Sequence, residues 1–211
     1  PWQLLAKRSE AKLRYLPLTK SGELDLSQPE KYFTQKTKIV SITHMSNVLG
    51  TINPIAKISK ISKSIGATFI VDGAQSVSHL PVNVQELGCD FLTFSGHKML
   101  GPTGIGILWG NLEILESLPP FMAGGEMIET VSMESSTWNK VPYKFEAGTP
   151  NFVQAIGLGI AVEYLTNIGM KEVQDHEKKL THYALSRLEK ISGLYIHGTP
   201  EKRGGVISFN L

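Results

Sequence analysis

One lysine stands among small and polar residues at the end of an apolar run: Asp90-Phe91-Leu92-Thr93-Phe94 leads into Ser95-Gly96-His97-Lys98-Met99-Leu100-Gly101-Pro102. A primary amine held partly desolvated at a strand end has a lowered pKa and can add to a carbonyl as a Schiff base. The same lysine after an edge strand would be ordinary surface charge. A carboxylate 26 positions upstream, in Val71-Asp72-Gly73-Ala74-Gln75, weighs between the two readings. By itself Asp72 after a strand reads as a helix N-cap. A spacing of this size permits one strand–helix–strand step, which sets the amine and the carboxylate beside one ligand.

A lysine and an aspartate in one crevice suggest pyridoxal phosphate. The lysine forms the Schiff base with the cofactor aldehyde. The aspartate pairs with the pyridinium nitrogen and makes the ring an electron sink. Asn47 and Gln75 can then donate to the ring's phenolic oxygen, and Ser95 and His97 to phosphate oxygens. Turn and cap hydrogen bonds would use the same four side chains. His44 follows a strand and has no assigned role. His79, His176, His182 and His197 have neither metal-ligand spacing nor a nearby carboxylate cluster in the sequence, so no metal site is expected. Cys89, the only cysteine, reads as a buried structural thiol. The glycines of Gly101-Pro102-Thr103-Gly104-Ile105-Gly106 are not a phosphate loop, since no Lys-Ser/Thr follows. Trp109 occupies the place of the third glycine of a dinucleotide fingerprint. They read as a tight turn and close packing beneath a cofactor.

The elements that must hold these residues alternate. Residues 1–10 end a helix, Lys12–Leu16 reads as a short strand, and a short helix is expected near 29–36. Lys38–Thr43 is a buried-type strand. Asn53 as N-cap and Pro54 at the first position start a helix with Ile55, Ile58, Ile61 and Ile65 inward, ended by Gly66. Strands are expected at 67–71, 90–94 and 104–109, with a short helix at 84–87. Such alternation points to an α/β fold with a mostly parallel sheet, in which ligands bind beyond the C-terminal strand ends. Thr43–Asn47, Asp72–Gln75 and Ser95–Lys98 should therefore share one crevice. Residues 111–148 look irregular. Two helices follow, the first with Val153, Ile156, Ile160 and Tyr164 on one face, the second with Val173, Leu180, Tyr183, Ala184, Leu188 and Ile191. Leu194–His197 and Val206–Leu211 look like strands opening a smaller α+β domain, giving an expected division into 1–150 and 151–211.

Composition narrows the partners. Hydrophobic residues at 41% and charged residues at 19% describe a chain with a sizeable core. A net charge of +2 with scattered basic residues gives no reason to expect a nucleic acid. No apolar run nears the roughly 20 residues that span a bilayer, and no signal peptide opens the chain. A single cysteine fits a reducing, cytoplasmic setting. Both ends read as cut, so the middle of a longer protein is expected.

Four stretches together resemble a known family: Thr43-His44-Met45-Ser46-Asn47-Val48-Leu49-Gly50-Thr51, Val71–Gln75, Ser95–Lys98 with Gly101–Gly106, and Phe145-Glu146-Ala147-Gly148-Thr149-Pro150. They resemble fold-type I pyridoxal phosphate enzymes of aminotransferase class V, and most of all the SufS-type (group II) cysteine desulfurases, which include selenocysteine lyases. The resemblance runs through essentially all 211 residues. It implies a three-layer α/β/α fold and conversion of L-cysteine to L-alanine with the sulfur held as a persulfide for iron–sulfur cluster assembly. It implies that Lys98 carries the cofactor and shuttles the substrate Cα proton, that Asp72 faces the ring nitrogen, and that Gln75 and Asn47 contact the phenolic oxygen. Ser95 and His97 would bind phosphate, and Thr149 would reach the phosphate of the other subunit of a homodimer. Gly124–Ile128 resembles the glycine-rich hairpin near the dimer interface. A sulfur-acceptor protein of the SufE or SufU type is the implied partner, in the cytoplasm or, in a eukaryote, a plastid. In the family, the histidine over the ring and a phosphate-binding threonine lie upstream of the equivalent of Pro1. The persulfide cysteine and the substrate-binding arginine lie beyond that of Leu211. A selenocysteine lyase, another class V enzyme, or a dimerising remnant without catalysis remain as alternatives.

Overall fold

The computed structural model describes residues 1–211. Its centre is a four-stranded sheet in sequential order: β1 (Ile39–Thr43), β2 (Thr68–Asp72), β3 (Phe91–Ser95) and β4 (Gly106–Gly110). The first three run parallel and β4 returns antiparallel to β3, so the sheet is mixed but mostly parallel. The register sets Thr43 beside Asp72, and Asp72 beside Thr93. The three C-terminal ends thus lie on one edge, with neighbouring strands about 4.8 Å apart.

α2 (Ile55–Ser64) shows why these residues make this layer. Its isoleucines recur at helical spacing, and Ile55 and Ile58 are buried against Phe69 and Val71, while Ile61 and Ile65 pack at the margin. Gly66 closes the helix at φ +68°. Its start differs from expectation. Asn53 does not cap: its Nδ2 donates to the Thr43 carbonyl at 2.8 Å, and its backbone N–H to His44 at 2.8 Å. The asparagine ties the end of β1 to the next loop, and Pro54 stands in the cap position. α1 (Trp2–Ser9) precedes the sheet, and α3 (Val84–Leu87) joins β2 to β3, capped by Asn83 and ended by Gly88.

Lys12–Leu16 forms no strand; Tyr15 is exposed and no neighbouring strand is available to pair with the segment. The helix expected near 29–36 shrinks to the 3₁₀ turn Pro29–Lys31. The stretch read as irregular holds α4 (Leu112–Ser117) and a hairpin of β5 (Ile128–Val131) and β6 (Ser136–Trp138). α5 (Phe152–Ile168) and α6 (Met170–Leu188) meet at a bend of 73° beside Gly169. β7 (Tyr195–His197) and β8 (Ser208–Asn210) pair antiparallel as a separate small sheet. No single helix is long and apolar enough to cross a membrane.

α5 buries the face opposite to the one that stands out in the sequence. Leu158, Ala161 and Leu165 are buried, whereas Val153, Ile156, Ile160 and Tyr164 are exposed. A helix apolar all round carries no pattern that says which side is inward. On α6, Leu180 and Tyr183 are likewise exposed, and so is Ile191 just beyond its end.

Candidate active site

The lysine turn is built from glycine and methionine. Gly96–Met99 form a 3₁₀ turn directly after β3, and Leu100 then takes a left-handed conformation at φ +64°. Gly101 N–H closes the turn on the Gly96 carbonyl at 3.0 Å. A Cβ on Gly101 would stand 2.9 Å from the Gly96 oxygen and 3.0 Å from Leu158 Cδ1, so no larger residue fits. Met99 is buried against Leu158 and Leu165. α5 therefore serves as the floor on which the turn rests, and Asn151, just before it, donates to the Gly104 carbonyl at 2.8 Å.

With Met99 turned inward, His97 and Lys98 face outward and are exposed. The partly desolvated state expected for Lys98 is thus not found: the turn leaves its amine exposed. Neither Lys98 nor Asp72 is spent on an ion pair; the two ion pairs of the chain are His79–Glu177 and Lys171–Asp175. Asp72 is exposed at the end of β2, and its Oδ1 accepts the Ala74 N–H at 2.9 Å, which fixes the carboxylate against its own loop. Gly73 N–H donates to the Thr93 carbonyl, and His44 N–H to the Asp72 carbonyl, both at 2.8 Å, so the three strand ends are stitched together.

Asn47 lies exposed in the loop after β1, where Ser46 Oγ accepts the N–H groups of Val48 and Leu49 and shapes the turn. Gln75 and Ser95 are half-buried. Asp72, Gln75, Ser95, His97, Lys98 and Asn47 thus share one sheet edge. Thr149 stands apart in an exposed loop before α5, and no hydrogen bond joins it to the others. The set offers one amine, one carboxylate and several neutral donors. That is the complement of a phosphorylated pyridine aldehyde: the residues fit pyridoxal phosphate.

Three further groups are placed. Cys89 is buried, and burial pushes its thiol pKa up, so it stays protonated and unreactive. His44 is buried with no partner for Nδ1, and burial lowers its pKa to about 4. His79 pairs with a single carboxylate from far along the chain: Glu177 of α6 lies 2.6 Å from its Nδ1. The pair joins the loop after Asp72 to a helix 98 positions away, a distance over which local sequence carries no signal. No group of three histidine, cysteine, aspartate or glutamate side chains could hold a metal ion.

The family model for aminotransferase class V matches residues 1–211. The chain belongs to that family. It is 54% identical to a probable cysteine desulfurase of Streptomyces coelicolor, over 100% of this chain and 51% of that protein. The cysteine desulfurase CsdA from Escherichia coli superposes with a TM-score of 0.94 at 35% identity, covering 99% of this chain and 52% of CsdA. The apo structure of the cysteine desulfurase from Thermococcus onnurineus NA1 gives 0.90 at 41% identity, over 100% and 53%. The chain spans about half the length of the relatives it matches. Its mostly parallel sheet with flanking helices is the class V fold of these enzymes.

Proposed function

We propose that the protein is a pyridoxal phosphate-dependent cysteine desulfurase, converting L-cysteine to L-alanine and passing the sulfur on for iron–sulfur cluster assembly. The observation that carries this is the placement of Lys98 and Asp72 at the ends of adjacent parallel strands, both exposed and both free of ion pairs. Cysteine desulfurases at about half the sequence identical supply the reaction. When bound, the cofactor supplies an electron sink for cleavage at the substrate Cα.

The chain's own residues do the rest. Lys98 Nζ holds the cofactor and then takes and returns the proton at Cα. The Asp72 carboxylate, fixed by Ala74, keeps a proton on the ring nitrogen. Asn47 and Gln75 would donate to the cofactor's phenolic oxygen. Ser95 and His97 hold the phosphate, and Thr149 completes the phosphate site of the other subunit in a homodimer. Cys89 takes no part, since its buried, protonated thiol cannot attack a substrate sulfur. The thiolate that accepts sulfur is therefore not among these residues. We place residues 1–150 in the cofactor-binding domain and 151–211 at the start of the smaller one, in a cytoplasmic protein with a soluble sulfur-acceptor partner.

In the full-length protein, added pyridoxal phosphate should raise a visible absorption band, and L-cysteine should yield alanine and sulfide in the presence of a reductant. Lys98→Ala should abolish both the band and the turnover. Full retention of sulfide release by Lys98→Ala would rule the assignment out. A preference for selenocysteine over cysteine in the same assay would move the reading to a selenocysteine lyase.

A further inference from the structure

Lys144 is the one lysine buried in this chain, at 8% exposure. No carboxylate pairs with it. Its Nζ instead donates to the carbonyls of Leu115 at 3.1 Å and Glu116 at 2.8 Å, in the last turn of α4. The Phe145 ring lies 5.2 Å from the same nitrogen. Burying an ammonium is costly. Here the cost is offset by carbonyls at the negative end of a helix, where Leu115 also accepts the Leu118 N–H while Lys144 alone reaches Glu116, and by the ring face. A charge kept in such a place is kept for the contacts it makes.

Those contacts lead to the site. Lys144 belongs to the 3₁₀ turn Tyr143–Phe145, and Thr149 follows five residues later. Gly148, at φ +83°, donates its N–H to the Gly125 carbonyl at 2.9 Å and holds the far side of the same segment. α4 in turn continues from β4 through Asn111, whose Oδ1 accepts the Ile114 N–H, and β4 pairs with the strand that ends in Ser95. The sequence of links runs from the lysine turn through β3, β4 and α4 to Lys144, and from there to Thr149. We infer that Lys144 is a positioning residue that fixes the Glu146–Thr149 segment to the sheet, so that Thr149 is presented at one height above the surface for the neighbouring subunit's phosphate site. This rests on the proposed role of Thr149.

The test uses the full-length protein, with pyridoxal phosphate as the probe, in Lys144→Met, Lys144→Gln, Lys144→Arg, Thr149→Ala and the double variant Lys144→Met/Thr149→Ala. In cofactor-free protein, Lys144→Met should speed hydrogen exchange at the amides of residues 146–149. It should weaken pyridoxal phosphate binding about tenfold, the scale of one charge-assisted hydrogen bond. The kcat at saturating cofactor should stay within about twofold. Lys144→Arg should restore most of the binding. Lys144→Gln should fall between, and serves in place of Lys144→Met if that variant does not fold. The double variant should bind no more weakly than Thr149→Ala alone, because the two residues act in series. Additive losses, or unchanged binding in Lys144→Met while Thr149→Ala binds weakly, would overturn the inference about Lys144. Wild-type binding in Thr149→Ala would instead overturn the reading of Thr149, and with it the route by which Lys144 acts.

Discussion

At the scale of single residues, the chemistry divides by what burial does to each group. Lys98 and Asp72 lie open at a sheet edge, available to a ligand. Cys89 is buried and its thiol pKa is raised, which removes it from the reaction. His44 is buried next to the site with its pKa lowered to about 4, and its sign can be worked through. The fold holds the imidazole neutral, while the unfolded chain protonates near the ordinary value of about 6.5. Between those values the unfolded state binds more protons, so stability rises with pH there. His44 thus contributes fully above about pH 6.5 and costs about 3 kcal/mol by pH 4. Urea midpoints measured from pH 7.5 down to 4.5 should fall for the wild type and fall less for His44→Leu. Parallel curves for the two proteins would show that the imidazole is not the group responsible.

At the scale of elements, the turn that carries Lys98 depends on a helix more than 50 residues later in the chain. Leu158 of α5 touches Met99 from below and would meet any side chain at Gly101. Leu158→Ala should cost about 2–5 kcal/mol and leave a void beneath the turn, whereas the volume-conserving Leu158→Met should cost under about 1.5 kcal/mol. Because the void opens one residue from Lys98, pyridoxal phosphate affinity should fall with Leu158→Ala and not with Leu158→Met. Thermal melts and cofactor titrations of both variants check this, and a melt lowered with cofactor affinity intact would separate α5 from the site. This dependence is where the sequence stops being legible. β1, β2 and β3 are readable as short apolar runs between polar turns, and α2 by its isoleucines at helical spacing, and the strand ends place Asn47, Asp72, Ser95 and Lys98 on one edge. α5 is apolar on every side, so its pattern does not reveal that Leu158 and Leu165 face the lysine turn while Ile156 and Ile160 do not. Lys12–Leu16 alternates like a strand but finds no partner to pair with. Asn53 looks like a cap, but its amide is taken by the Thr43 carbonyl. The His79–Glu177 pair and the seat of Lys144 on α4 are contacts between distant segments, which no local period encodes.

At the scale of the whole molecule, the proposed role of Thr149 implies a site shared between two chains. Six of the proposed site residues gather on one sheet edge, yet Thr149 projects from a separate loop with no bond to them. If Thr149 serves the neighbour's phosphate, Lys98 and Thr149 of one site come from different subunits, and two damaged chains can repair one another. A hybrid dimer of Lys98→Ala and Thr149→Ala subunits then holds one site with both defects and one site with neither. Random reassortment makes about half of the dimers hybrids, each with one intact site of two, so a mixture should recover about a quarter of wild-type activity under limiting cofactor. If both residues served the same site from one chain, every site in the hybrid would carry one defect, and the mixture would do no better than the average of its parents. Refolding or exchanging the two variants together at equal concentration, with the hybrid isolated by differential tags, distinguishes these arrangements. Sulfide release from the isolated hybrid at half the wild-type rate is the expected result, and release at the level of the unmixed variants would return Thr149 to its own subunit.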